Sequence, residues 1–221
     1  MKKKITPAIL LLFLFVSGNM GLYAQELNAI QTVVPFLTIA PDSRAGAMGD
    51  VGVATTPDVY SQHWNPAKFA FIDGKAGVGI SYSPWLRNLV PDINIAYLTG
   101  YYRIDKKQVA SASLLYSSLG DVPFTDEFGN LERNFKPNEL AFDIGYSRIF
   151  AEHFSGGIAF RFIYSNLTGG TYSGGDATKA GTSFAADISG YYTNKISLFS
   201  KDGDMAFGVN FSNIGSKMSY S

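Results

Sequence analysis

Residues 139–150 read Glu-Leu-Ala-Phe-Asp-Ile-Gly-Tyr-Ser-Arg-Ile-Phe. Leu140, Phe142, Ile144 and Tyr146 are large and apolar, while Glu139, Ala141, Asp143, Gly145 and Ser147 between them are small or polar. A β-strand sends successive side chains to opposite faces, so this stretch predicts a strand with one bulky apolar face and one small, polar face. The alternation recurs. Ile158, Phe160, Phe162 and Tyr164 oppose Gly157, Ala159 and Arg161; Met205, Phe207, Val209 and Phe211 oppose Ala206, Gly208, Asn210 and Ser212. Seven such segments follow one another: 76–83, 93–104, 108–117, 139–150, 154–165, 182–192 and 205–213. Most match the roughly 9–11 residues of a tilted membrane strand.

A soluble β-sandwich also alternates, and three features separate it from a membrane barrel. The apolar faces are aromatic, whereas the opposite faces carry Gly, Ala, Ser and Asn with Asp143, Arg161 and Asp187. Such a face suits a lumen better than open water. Aromatic residues gather towards the strand ends, at Tyr82, Trp85, Tyr101, Tyr102, Tyr116, Phe150, Tyr164, Tyr191 and Tyr192, where interfacial girdles belong. Connections alternate in length: Asp105–Lys107 and Ala151–His153 are short, and Pro84–Asp92, Ser118–Asn138 and Asn166–Gly181 are long. Thr193–Asp204 is the exception, long where a short turn is expected. The expected fold is an all-β transmembrane β-barrel. A sheet in lipid must close on itself, and bacterial single-chain barrels have even strand numbers from eight upward. Seven strands therefore read as the N-terminal half or so of a longer barrel, making residues 76–221 that half and the chain truncated.

Composition agrees with this class. Of 221 residues, 46% are apolar and only 16% charged, with 18 basic groups against 18 acidic, 23 Gly and no Cys. Balanced charge argues against a nucleic-acid partner. The aromatic content excludes disorder, and the lack of cysteine excludes disulfides, zinc–thiolate sites and thiol nucleophiles. No apolar run approaches the 18 residues of a membrane helix.

The first residues read as an address. Lys2, Lys3 and Lys4 precede the apolar run Ala8–Val16, and Leu22-Tyr23-Ala24 offers a cleavage site, so residues 1–24 are expected to be a signal peptide. Their removal leaves 15 basic against 18 acidic groups, since the three lysines go and no acid does. Residues 25–75 differ from the barrel. Gly46, Gly49 and Gly52 alternate with alanines, Asp42-Ser43-Arg44 can open a short helix, and Thr56-Pro57-Asp58 makes a turn. Val33–Ile39 and Phe69–Ile72 are too apolar for a disordered tail, so a hatch or plug in the lumen is expected.

The run from Pro35 to Arg44, ending Pro-Asp-Ser-Arg, then Met48-Gly49-Asp50-Val51-Gly52-Val53-Ala54 and Ser61-Gln62-His63-Trp64-Asn65-Pro66-Ala67-Lys68, resembles the PorV family. The Met-Gly and Asn-Pro-Ala elements alone would indicate only the wider FadL-like barrel group. The resemblance extends over residues 30–221, and implies a FadL-like barrel of about fourteen strands when complete. It also implies a non-enzymatic outer-membrane component of the bacteroidotal type IX secretion system, without cofactor or metal. Such a protein binds the C-terminal signal domain of secreted cargo and carries it from the translocon barrel to the attachment complex. There a sortase links the cargo to lipopolysaccharide. The resemblance marks Asp42, Arg44, Met48, Gly49, Asp50, Gly52, Trp64, Asn65 and Pro66 as a structural hatch motif. From the residues themselves, Asp42 or Ser43 can be the helix N-cap, and Asp42 and Arg44 are expected to fix the hatch by helix capping and an ion pair within the lumen.

A cargo receptor needs an adhesive outer rim. Trp85, Leu86, Leu89 and Val90 in the first long loop, and Val122, Phe124, Phe128 and Leu131 in the second, could form it. They could equally fold down over the pore. The competing function is a FadL-like passive channel for hydrophobic small molecules. Enzymatic readings find no motif: His63 and His153 lie far apart, the paired glycines lack a phosphate-loop ending, and Asp202-Gly203-Asp204 lacks the further acids of a calcium loop.

Overall fold

The computed structural model describes residues 34–84, 92–125, 128–170, 172–173, 176–177, 179–198, 201–218 and 220. The signal-peptide segment 1–24 and the loop residues Trp85, Leu86, Leu89 and Val90 lie outside them. Seven strands form one antiparallel sheet: β1 (Ala76–Pro84), β2 (Ile93–Arg103), β3 (Gln108–Leu119), β6 (Asn138–Ala151), β7 (Phe154–Asn166), β10 (Gly181–Leu198) and β11 (Lys201–Gly215). Each pairs with the next along the chain, with no crossover, and the sheet curls into a half-barrel. Among the described residues no helix is long and apolar enough to cross a membrane.

All seven expected segments are strands of this sheet, and one connection is corrected. Thr193–Asp204 is a continuation of β10 and β11, which stay paired from Thr193↔Ala206 to Leu198↔Lys201. The connections at one end of the sheet are therefore all short, at 104–107, 152–153 and 199–200. Asp105 builds the first: its carboxylate accepts from Lys107 N–H at 2.7 Å and from Gln108 Nε2 at 2.5 Å. The second long connection holds its own hairpin, β4 (Val122–Thr125) with β5 (Leu131–Phe135), and the third holds the short pair β8 (Tyr172–Ser173) and β9 (Asp176–Ala177).

The two faces of the sheet invert the order of a soluble protein. Ile80 is 75% exposed on the convex side, Phe184 68%, Phe211 65% and Phe160 58%. The concave side buries Thr99, Ser113, Ser117, Glu139, Asp143, Ser147, Arg161, Ser183 and Asp187. A continuous apolar outer surface over a polar interior is stable only where the outside is hydrocarbon. Two residues assigned above to the aromatic girdles, Tyr101 and Tyr191, are instead buried on the concave side. Tyr101 donates its hydroxyl to Asp73 O at 2.8 Å.

Residues 34–75 run along the concave face. Phe36 and Leu37 pack with Ile95, Tyr97, Leu115, Ala141, Ile163 and Ala185, towards the long-loop end. Phe69 and Ile72 pack with Tyr101 and Val109, at the short-turn end. Between these two apolar plugs lies a polar layer.

Candidate functional site

The polar layer is built around Arg161. Its Nε donates to Asp143 at 2.6 Å and its Nη2 to Asp187 at 3.1 Å, while Nη1 bonds the Asn213 side chain. Asp143 also accepts from Ser113 Oγ at 2.9 Å, and Asp187 from Asn213 N–H at 2.8 Å. The guanidinium and both carboxylates are almost wholly buried. In so dry a place each charge depends on the others, because an unpaired buried ion costs several kcal/mol. The network fixes the register of β6, β7 and β10 to one another.

The inner segment is held to this wall by small side chains that reach its backbone. Thr99 Oγ1 donates to Val59 O at 3.0 Å, Ser155 Oγ to Ala67 O at 2.7 Å, and Asn210 Nδ2 to Trp64 O at 3.1 Å. Ser189 Oγ accepts from Ala67 N–H at 3.1 Å. Ser111 Oγ donates to Gln62 Oε1 at 2.6 Å. Glycines give the backbone room to approach. A Cβ on Gly157 would stand 2.6 Å from Ala67 N, and one on Gly208 only 2.2 Å from Val53 O. The small face of the strands is thus a docking surface for residues 34–75.

The motif residues mostly bind one another. Asp42 caps the helix Ser43–Ala47, accepting Ala45 N–H at 2.8 Å, and its second oxygen accepts Trp64 Nε1 at 2.9 Å. Gly52 lies against the Trp64 ring, where a Cβ would come within 2.1 Å. Asn65 is fully buried: Oδ1 caps the turn Pro66–Phe71 at Ala67 N–H, while Nδ2 reaches Val53 O at 2.9 Å and Gly190 O at 3.0 Å. Arg44 pairs with Asp58 at 2.6 Å, with Nη2 on Thr56 Oγ1. That pair is part-exposed, its arginine side chain 44% accessible. Gly49 and Asp50 take left-handed backbone, with φ of 79° and 60°, and Asp50 N–H closes the turn on Ala45 O. Met48 and Asp50 are exposed.

Lys68 and His63 stand in the motif run quoted above, but the sequence reading gave neither a structural role. Lys68 is fully buried and donates to Gly52 O at 2.8 Å and Thr55 Oγ1 at 3.0 Å; burial lowers its pKa to about 8. His63 meets the Trp64 ring edge-on at 4.7 Å, and burial, seconded by the Arg161 charge, lowers its pKa to about 3. Lys68 directly follows Asn65-Pro66-Ala67, a position that alone could have flagged it. His63 and Arg161 belong to different parts of the chain, so no local pattern joins them.

The candidate rim divides. On the β4–β5 hairpin Phe128 is 88% exposed, Leu131 61% and Val122 38%. Phe124 is half-buried against Phe135, with ring centroids 6.1 Å apart, and Arg133 stacks over it at 4.7 Å. Among the described residues no three His, Asp or Glu side chains gather in a way that could hold a metal ion.

A curled antiparallel sheet with an apolar exterior and a polar interior is the wall of an all-β outer-membrane barrel protein. A family model described as "Type IX secretion system protein PorV" matches residues 22–221. The chain belongs to the PorV family, and so is a component of the type IX secretion system at the outer membrane. A comparison with curated proteins finds no match.

Proposed function

We propose that this chain binds the C-terminal signal domain of secreted cargo and shuttles it from the translocon barrel to the surface attachment complex, where a sortase acts. Residues 1–24 direct its export, and residues 25–75 act as the hatch of the barrel. The observation that carries the binding step is the apolar tip of the β4–β5 hairpin. Phe128 and Leu131 stand exposed at the long-loop end of the sheet, which in outer-membrane barrels faces outside the cell. Large apolar side chains in water mark a surface that a partner covers. Passive conduction of hydrophobic small molecules is less well supported, because the concave face is occupied by residues 34–75 and lined by ionic and hydroxyl groups.

The test replaces Phe128 and Leu131 together by Ser in the full-length protein, tagged and purified from outer membranes in mild detergent. Mass spectrometry of co-purifying material should show secreted proteins sharing a C-terminal domain with the parent protein, and lose them with the variant. Cargo retained by the variant would refute the rim assignment. Bound fatty acid with no protein partner would refute the shuttle.

A further inference from the structure

The short-turn end of the sheet is uneven. Tyr102, Ala110, Tyr146, Ile158 and Ile188 lie on one row across β2, β3, β6, β7 and β10. Past this row β2 runs one residue, to Arg103, and β3 two, to Gln108. β6 runs five, to Ala151, and β7 four, to Phe154. Tilt staggers the strands of a barrel by a fixed shear, and this gradual descent reflects it. β10 breaks the trend by running ten residues, to Leu198, where β11 meets it at Lys201. The β10–β11 hairpin therefore projects beyond its neighbours, at the end that short turns mark as periplasmic.

The projecting part has a free edge. β10 parts from β7 at Tyr192↔Phe154, and its last bond on that side runs from Thr193 N–H to His153 O at 2.9 Å. On its other side β10 stays paired with β11 to Leu198↔Lys201, with no register shift in this stretch. Alternate residues of an antiparallel strand turn both backbone groups to the same side. Thr193 turns its groups away from β11, so Lys195 and Ser197 do the same. Among the described residues no strand pairs with those two N–H and two C=O groups. Residues 193–198 hold neither a proline nor a bulge, two of the devices that blunt such an edge. The one charge, Lys195, is exposed and forms no ion pair among the described residues.

Donors and acceptors at this spacing match those of another extended chain. A second copy of this chain does not fit. Two copies in one membrane send β10 the same way, and a two-fold axis along the membrane normal opposes their tilts of about 35–45°. Their edges would cross and not pair. We infer that the β10 edge at Lys195 and Ser197 accepts a strand from a periplasmic protein, an extended segment with an acidic side chain beside Lys195. Main-chain bonds to Lys195 and Ser197 supply the affinity, and the ion pair sets the register. The site lies at the opposite end of the sheet from Phe128 and Leu131 and is independent of cargo recognition.

The test uses the full-length protein in intact cell envelopes and, for comparison, purified in detergent. The amides of Lys195 and Ser197 should exchange hydrogen about tenfold more slowly in envelopes, while that of Ile196, which faces β11, should behave alike in both. A photo-crosslinking residue in place of Asn194 should join the chain to a periplasmic protein through a segment bearing Asp or Glu, identified by mass spectrometry. Ser197→Pro removes one outward N–H without breaking the β10–β11 ladder and should abolish the crosslink. Lys195→Glu sets like charges side by side across the strands and should cut it about fivefold. Replacing Phe128 and Leu131 by Ser should leave it intact. Equal exchange in envelopes and detergent, a crosslink of full strength in Ser197→Pro or Lys195→Glu, or a crosslink to a second copy of this chain would overturn the inference. Should Ser197→Pro lack the gel mobility of a folded barrel, Lys195→Glu and the exchange of the parent protein decide.

Discussion

The concave and convex faces of one sheet differ by a single residue of register, yet they are stabilised by unrelated physics. On the convex side an apolar side chain needs no particular partner, since lipid accepts any apolar group. Phe160 and Phe184 need only be large and uncharged. On the concave side the buried charges are held by named neighbours: Arg161 by two aspartates and Lys68 by a carbonyl and a hydroxyl, while the Asn65 amide meets two carbonyls. The outside therefore tolerates changes of shape and rejects charge, whereas the inside tolerates neither loss of a charge nor added bulk.

The largest expected effect lies inside. Arg161→Ala strands Asp143 and Asp187 in a dry interior and should cost about 3–5 kcal/mol, measured as a fall in urea stability of the full-length protein in detergent. Phe160→Ala, removing a larger side chain from the convex face, should change the same transition far less. If the two variants were equally harmful, the contrast between the faces would be wrong. Next comes the reverse error, a charge outside. Phe160→Arg should cost about 2–4 kcal/mol near the bilayer midplane. Insertion into lipid vesicles, followed by the altered gel mobility of folded barrels, would read it. Full insertion of Phe160→Arg would argue that this face meets water.

These contrasts explain which parts of the molecule could be read from the sequence. The period of two is a local signal, and the size of the residues on each face declares which side is apolar, so all seven strands were legible. The extension of β10 and β11 was not. Past the membrane both faces of a strand meet water; Lys195-Ile196-Ser197-Leu198 still alternates, but Lys201-Asp202-Gly203-Asp204 opposite it holds no apolar residue and reads as a turn. The Arg161 network was hidden for another reason: Asp143, Arg161 and Asp187 face one another only through the register of three strands. Composition marked them as unusual, but pairing is a property of the fold. Within residues 34–75, Asp42 was legible as a cap because capping is local. The partner of Arg44 was not, since Asp58 arrives from across a turn.

The inner segment adds a pH term to the comparison. His63 has a folded-state pKa of about 3 against about 6.5 in an unfolded chain. The unfolded state therefore binds more protons between these values, and stability is complete above pH 6.5 and lost as pH falls through the window. The slope is about 1.4 kcal/mol per pH unit, or roughly 2 kcal/mol by pH 5. Hydrogen exchange of residues 34–75 should quicken accordingly on acidification, and His63→Gln should flatten the response. An unaltered profile in His63→Gln would place the acid sensitivity in other groups.

The smallest effects separate two motif residues that look alike in sequence. Asp42 is buried, and its two oxygens accept from the helix and from Trp64. Its replacement by Ala removes a cap and leaves the indole N–H of Trp64 unsatisfied, at a cost of about 1–2 kcal/mol. The Arg44–Asp58 pair is part-exposed, and water and salt screen it, so Arg44→Ala should cost at most about 1 kcal/mol. If the segment gates the pore, single-channel conductance in planar bilayers should rise with Asp42→Ala and hardly with Arg44→Ala. Raising the salt concentration should erase what remains of the Arg44 effect and leave that of Asp42 intact. A larger response from Arg44→Ala would mean that the exposed ion pair, and not the buried cap, holds the segment in place.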